Sequence, residues 1–145
     1  MDTPKRSRQA GVTLIEMLVV VTIIALFAAL VGPSLFRQGD KARVTAARVQ
    51  IKNFMTALGM YKLETGVFPT TEQGLAALRV APSGVKQWQG PYLPQDVPAD
   101  PWGNPYVYRY PPENGGNEPE IISYGADGQP GGEDIAADIV SWKNQ

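Results

Sequence analysis

Between residues 12 and 31 the chain carries a single ionisable side chain, Glu16; every other position there is apolar or small and uncharged. Twenty residues in a helix rise about 30 Å, the thickness of a bilayer's hydrocarbon core, so this run predicts a membrane-spanning helix. A secretory signal peptide would have a shorter apolar stretch with small residues after it, whereas here the small pair Ala10-Gly11 comes before it. Gly32-Pro33 follows, and proline cannot donate to the carbonyl of Ala29, so an interruption is expected there. The helical pattern then resumes. Val44, Ala47, Ile51, Phe54, Leu58 and Tyr61 recur at steps of three and four, one apolar stripe among basic residues. The pattern predicts one long helix from Val12 to about Leu63, interrupted near Gly32-Pro33 and stopped by Gly66 with Pro69 after it.

Beyond that stop the signals shorten. Thr70 and Gln73 have capping-box spacing and predict a short helix carrying Leu75 and Leu78. Asp100-Pro101-Trp102-Gly103-Asn104-Pro105 is a turn cluster, after which Tyr106, Tyr108 and Tyr110 alternate with Val107 and Arg109 as in a half-buried strand. Residues 120–124 read as a second strand. The fold class expected is α+β, a small antiparallel sheet laid on the second half of the long helix.

The absence of Cys and His from all 145 residues changes what chemistry is open. It removes thiol nucleophiles, disulfides, imidazole acid-base catalysis and nitrogen or sulfur metal sites, leaving only hard, oxygen-ligated cations. Charge is divided sharply along the chain. Lys5, Arg6 and Arg8 precede the apolar run; Arg37, Lys41, Arg43, Arg48, Lys52 and Lys62 follow it against Asp40 alone. From Glu64 onward eleven acids face Arg79, Lys86, Arg109 and Lys143, so a basic stem carries an acidic head. The basic N-terminus favours a cytoplasmic start with the head across the membrane. Glu16 costs roughly 2.5 to 3.5 kcal/mol in hydrocarbon unless neutralised, and the helix offers no cation to do so. A cut after Gly11 would create an amine at Val12, with an ordinary pKa of about 8, that could pair with Glu16 of a neighbouring copy.

Lys-Arg-Ser-Arg-Gln-Ala-Gly followed by Val-Thr-Leu-Ile-Glu-Met and a long apolar run resembles the class III signal of type IV pilins and pseudopilins. The head narrows the likeness. Met60-Tyr61-Lys62-Leu63, Pro69-Thr70-Thr71-Glu72-Gln73-Gly74-Leu75, Gly90-Pro91-Tyr92-Leu93, the turn cluster at residues 100–106 and Tyr124-Gly125-Ala126-Asp127-Gly128 are similar, in order and spacing, to major pseudopilins of type II secretion systems. The resemblance implies a type IV pilin-like fold and a leader, residues 1–11, removed by a prepilin peptidase between Gly11 and Val12. It also implies N-methylation at Val12, although Val stands where the family usually has Phe. Residues 12–31 would be the transmembrane and polymerisation helix, and residues 32–145 the periplasmic head with the helix's second half. Glu16, Gly32 and Pro33 would be assembly residues.

The acidic, glycine-rich stretch from Gly125 to Asp138 is the candidate metal site. From the residues alone, a calcium loop and a solvated acidic turn fit equally well. The resemblance favours calcium, with Asp127, Asp134 and Asp138 as carboxylate ligands, Glu133 in reserve, and backbone oxygens of Tyr124, Ala126 and Gln129. The function it implies is that of a structural subunit, not an enzyme: a homopolymer forming the periplasmic pseudopilus, with minor pseudopilins, the inner-membrane assembly platform and the secretin channel as partners, driving folded proteins across the outer membrane. The alternatives are a DNA-uptake or adhesion pilin and, more remotely, a signal-anchored periplasmic enzyme. An acidic head disfavours nucleic acid. No nucleophile or cofactor fingerprint accompanies the clustered carboxylates.

Overall fold

A computed structural model describes residues 11–143, and of residues 33–37 the backbone only. The elements run in the order α1 (Leu14–Thr65), a 3-10 turn (Leu75–Leu78), β1 (Val107–Arg109), β2 (Glu120–Ser123), two further 3-10 turns (Gly125–Asp127 and Asp134–Ala136) and β3 (Ile139–Val140). The chain divides into a first compact unit ending at Gln38 and a second, Gly39–Gln145; α1 contributes to both.

The expected interruption at Gly32-Pro33 does not occur in the secondary structure. Both residues lie within α1, whose 52 residues are assigned without a break. One proline removes one donor, and a helix with long runs of good formers on either side continues past a single missing bond. The end is as expected: the Gly66 N–H donates to the Lys62 carbonyl at 2.8 Å, and Gly66 takes φ +83°, a left-handed cap that glycine adopts at little cost.

In the second unit the apolar stripe of α1 is the spine of the core. Ala47, Ile51, Phe54, Ala57, Leu58 and Tyr61 are buried, with Val44 half-buried against them. The expected capping box forms reciprocally: the Thr70 N–H donates to Gln73 Oε1 at 3.0 Å and the Gln73 N–H to Thr70 Oγ1 at 3.3 Å. It closes a turn and leads into the 3-10 segment, which buries Leu75, Ala77 and Leu78.

The sheet is antiparallel in the order β1-β2-β3. Tyr108 faces Ile121 in the β1–β2 register, and Ser123 faces Ile139 in the β2–β3 register. The tyrosine alternation holds over its first two members: Tyr106 and Tyr108 are buried while Val107 and Arg109 are half-exposed, but Tyr110 lies past the end of β1 and is half-exposed too. Phe54 of α1 meets Tyr106 edge-on with ring centroids 5.1 Å apart, so aromatic contact joins helix to sheet. Burial raises the pKa of Tyr106, helped by the Asp100 charge, to about 12. Tyr108 is pushed up as well, chiefly by burial, and its hydroxyl donates to the Pro69 carbonyl at 2.8 Å.

Candidate functional site

Two regions carry the candidate residues, and the first lies at the start of α1. Leu14–Gly32 is a 19-residue helical stretch long and apolar enough to cross a membrane, with none of it buried by protein. Leu14 is 86% exposed and Leu30 77%, a surface that water does not tolerate and that lipid or neighbouring helices would cover. Thr22 hides its hydroxyl by donating to the Leu18 carbonyl at 2.7 Å. Gly11 and Val12 precede the helix and are exposed, as cleavage between them requires; residues 1–10 of the expected leader lie outside the described residues.

Glu16 has a role that the sequence reading missed. The Thr13 N–H donates to its carboxylate at 3.5 Å, and the Glu16 N–H donates to Thr13 Oγ1 at 3.3 Å. This is a capping box, Thr-x-x-Glu, that holds the first turn of α1 and places the acid where the helix dipole favours it. The spacing was legible in the sequence.

The second region is the acidic loop. Gly125, Gly128, Gly131 and Gly132 all have positive φ, and so does Asp134 at +52°. A Cβ on Gly125 would come 2.7 Å from the Ile135 carbonyl oxygen, and one on Gly132 would collide with that of Ala136. Glycine is therefore what lets residues 125–132 wrap against the 134–136 turn.

The carboxylates do not converge as expected. Among the described residues no three acidic groups come together closely enough to hold a metal ion. Asp127 accepts from the Gln129 N–H at 3.0 Å, an Asx-type turn, and is exposed. Asp138 Oδ2 accepts from the Gly131 N–H at 3.0 Å. Asp134 and Glu133 are exposed. The physical reason is local: Asp127 and Asp138 each find a backbone donor within reach, and mutual repulsion spreads the charges. Asp138 is the one of these acids with a buried oxygen, Oδ1, that has no hydrogen-bond partner. The cavity beside it is lined by Asp134, Arg48 and Lys143 with Val44, Ala137, Ile139 and Val140. Tyr124, Ala126 and Gln129 lie in and beside the 3-10 turn at Gly125–Asp127, which puts their carbonyls in the same stretch of loop.

What fixes that loop to the rest of the head is a buried network on the turn cluster, also unforeseen. Asp100 is 4% exposed. Its Oδ1 accepts from the N–H groups of Trp102 (3.1 Å) and Asn104 (2.8 Å), and its Oδ2 from the Ser123 hydroxyl at 2.6 Å. Asn104 Nδ2 in turn donates to the Gly125 carbonyl at 3.1 Å. One carboxylate thus ties turn, sheet and acidic loop together.

These features match known proteins along nearly the whole chain. Residues 34–142 match the family described as Type II secretion system (T2SS), protein G, and residues 6–32 the Prokaryotic N-terminal methylation motif. The chain belongs to the type II secretion protein G family. It is 45% identical to the Type II secretion system core protein G of Pseudomonas aeruginosa, over 97% of this chain and 99% of that one. With the Vibrio cholerae core protein G it shares 41% identity over 97% of both. The crystal structure of the major pseudopilin from the type 2 secretion system of enterohaemorrhagic Escherichia coli matches with a TM-score of 0.61 and 34% identity, covering 76% of this chain and 95% of that one. This protein G is a structural pseudopilin and not an enzyme.

Proposed function

We propose that the chain polymerises through its N-terminal helix into the periplasmic pseudopilus of a type II secretion system and so drives folded proteins through the outer-membrane secretin. The observation that carries this is the uncovered apolar surface of Leu14–Gly32 beside a methylation motif at residues 6–32. Such a helix is stable in the inner membrane, with the basic N-terminus cytoplasmic and the head periplasmic. In a filament, neighbouring helices replace lipid as its cover. Charge supports the same reading: among the described residues, none of Lys41, Arg43 and Lys52 makes an ion pair within the chain. Those cations are free to meet the acidic heads of other copies.

In this reading a prepilin peptidase cuts between Gly11 and Val12, and Val12 is methylated. Minor pseudopilins and the assembly platform then start the polymer. The acidic loop takes one calcium ion, anchored on Asp138 with Asp127, Asp134 or Glu133 and backbone oxygens completing the shell, and the ion holds the loop as a structural element. The deciding experiment is the mass and N-terminal residue of the protein recovered from membranes with and without a prepilin peptidase. Processing at Val12 only in the first case is expected; an unprocessed chain in both overturns the reading. Calcium should raise the melting temperature and a chelator lower it, and Asp138→Asn should erase the difference.

A further inference from the structure

The connection from β1 to β2 carries Glu113-Asn114-Gly115-Gly116-Asn117-Glu118, all of them exposed. Asn114 is folded over the residues that follow it. Its Oδ1 accepts from the Gly116 N–H at 2.8 Å, an Asx-type turn, while its own N–H donates to Glu120 Oε1 at 2.6 Å. Gly115 takes φ +81°, and a Cβ there would meet nothing within 4 Å. Among the described residues the Gly115 N–H makes no hydrogen bond. An amide that is to lose ammonia needs a carbonyl polarised by a donor and a nucleophile that no side chain shields. Both are present here.

We propose that Asn114 is a modification site, which deamidates without an enzyme through attack of the Gly115 nitrogen on its side-chain carbon. The Gly115 nitrogen gives its proton to hydroxide and bonds to Cγ, and the Gly116 N–H meets the charge that develops on Oδ1. The bond from Cγ to Nδ2 then breaks, Nδ2 takes protons from water and leaves as ammonia, and a five-membered succinimide remains. A water molecule opens that ring at either carbonyl, giving aspartate or isoaspartate. One water is consumed and one ammonia released, with no oxidation or reduction.

The product weakens the turn. Either form puts a carboxylate where a neutral amide stood, beside Glu120, which is 2% exposed and accepts from that same residue's N–H. Arg109, which faces Glu120 across the β1–β2 register, is already paired with Glu113 at 2.7 Å. A further negative charge therefore repels its neighbours. Isoaspartate also lengthens the backbone by one carbon, which shifts the Asn114 and Gly116 N–H groups off their acceptors.

The test is peptide mass spectrometry of the full chain aged in detergent micelles, at neutral pH and one unit higher, with a parallel sample unfolded in urea. Electron-transfer fragmentation distinguishes isoaspartate from aspartate. Conversion at Asn114 is expected to run about tenfold faster at the higher pH, since the attacking nitrogen must first lose its proton. Asn117, exposed in the same turn but followed by Glu118, should remain an amide over the same period. Gly115→Ala should slow conversion at Asn114 at least tenfold. The folded chain should react at least as fast as the unfolded one, because only the fold presents the Gly116 donor. An intact Asn114, or one that reacts more slowly in the folded chain than in urea, would overturn the proposal. Asn114→Asp should lower the urea midpoint of the head, and an unchanged midpoint would refute the weakening of the turn.

Discussion

Replacing Asp100 with Ala should cost more stability than any other single change in the turn cluster. The substitution strips acceptors from the Trp102 and Asn104 N–H groups and from the Ser123 hydroxyl at once, at a site 4% exposed. Each buried donor left without a partner costs about 1 to 3 kcal/mol, and relaxation or an entering water recovers part of that, so a net loss of about 4 kcal/mol is expected. Against a total stability of about 5 to 15 kcal/mol this is a large fraction. With a urea slope of about 1 to 2 kcal/mol per molar for a unit of this size, the midpoint of the Gly39–Gln145 unit should fall by about 2 to 4 M. Asp100→Asn separates geometry from charge. Its carbonyl oxygen still serves both amides, and the Ser123 hydroxyl can rotate to accept from the new NH2, so the loss should stay near 1 to 2 kcal/mol. Ser123→Ala in the Asp100→Ala background should then add little, since the partner is already gone. Urea unfolding followed by circular dichroism would measure all three. An Asp100→Ala loss below about 1 kcal/mol, or an equal loss in Asp100→Asn, would show that the network is decoration on a turn held by its prolines.

Thr70→Ala removes the side-chain half of the head's capping box and should cost about 1 kcal/mol by the same unfolding assay; no change would mean that the turn is held by Pro69 and the core alone. Gly125→Ala forces a side chain into positive φ, 2.7 Å from the Ile135 carbonyl, so it should cost well over 1 kcal/mol, where Gly115→Ala, with open space around it, should cost less. Tyr106 titrates at about 12 in the fold against 10 when unfolded, so its contribution is complete below pH 10 and is lost as pH rises through 12. Tyr106 should account for about 2 to 3 kcal/mol of the head's loss over that window, and Tyr106→Phe should reduce the loss by that share, while Tyr108, also raised by burial, keeps its own.

How much of this was legible depends on how local each cause is. The stripe from Val44 to Tyr61, the Thr70–Gln73 box and the Gly66 stop are set by neighbours three or four residues apart and stand in the structure as read; the tyrosine alternation, of period two, stands at Tyr106 and Tyr108 and fails at Tyr110, where the strand has ended. Strand β3 was not legible. Its two residues sit inside an acidic stretch and become a strand only because Ile122 and Ser123, 16 or more residues earlier, offer an open edge. The Asp100 network failed to show for the same reason, since Ser123 lies 23 residues away. The carboxylate triad was expected by resemblance, and sequence spacing held no information on which Asp would fold back onto its own amides. Asp127 accepts from the Gln129 amide and Asp138 from the Gly131 amide, each through one oxygen, and only at Asp138 is the other oxygen buried without a partner.

Glu16 is where both kinds of reasoning meet. Its carboxylate takes the Thr13 N–H, and if the chain is cut after Gly11 the new amine of Val12 arises one residue before that donor. The acid is therefore already held at the end of its own helix before any neighbour arrives. A capping role needs only an acceptor, whereas an assembly role needs the negative charge. Gln serves at the third position of a capping box almost as well as Glu, so Glu16→Gln should preserve the helix start, processing and membrane retention. It should nevertheless abolish filaments, because a neutral amide cannot balance an amine buried between apolar helices. Glu16→Ala should lose the filament and also fray the first turn, visible as faster hydrogen exchange at Thr13 and Leu14 in micelles. Electron microscopy of sheared filaments alongside exchange would separate the two. Normal filaments from Glu16→Gln would mean that the cap is the whole of what Glu16 does, and that register along the polymer is set by the stem and head charges instead.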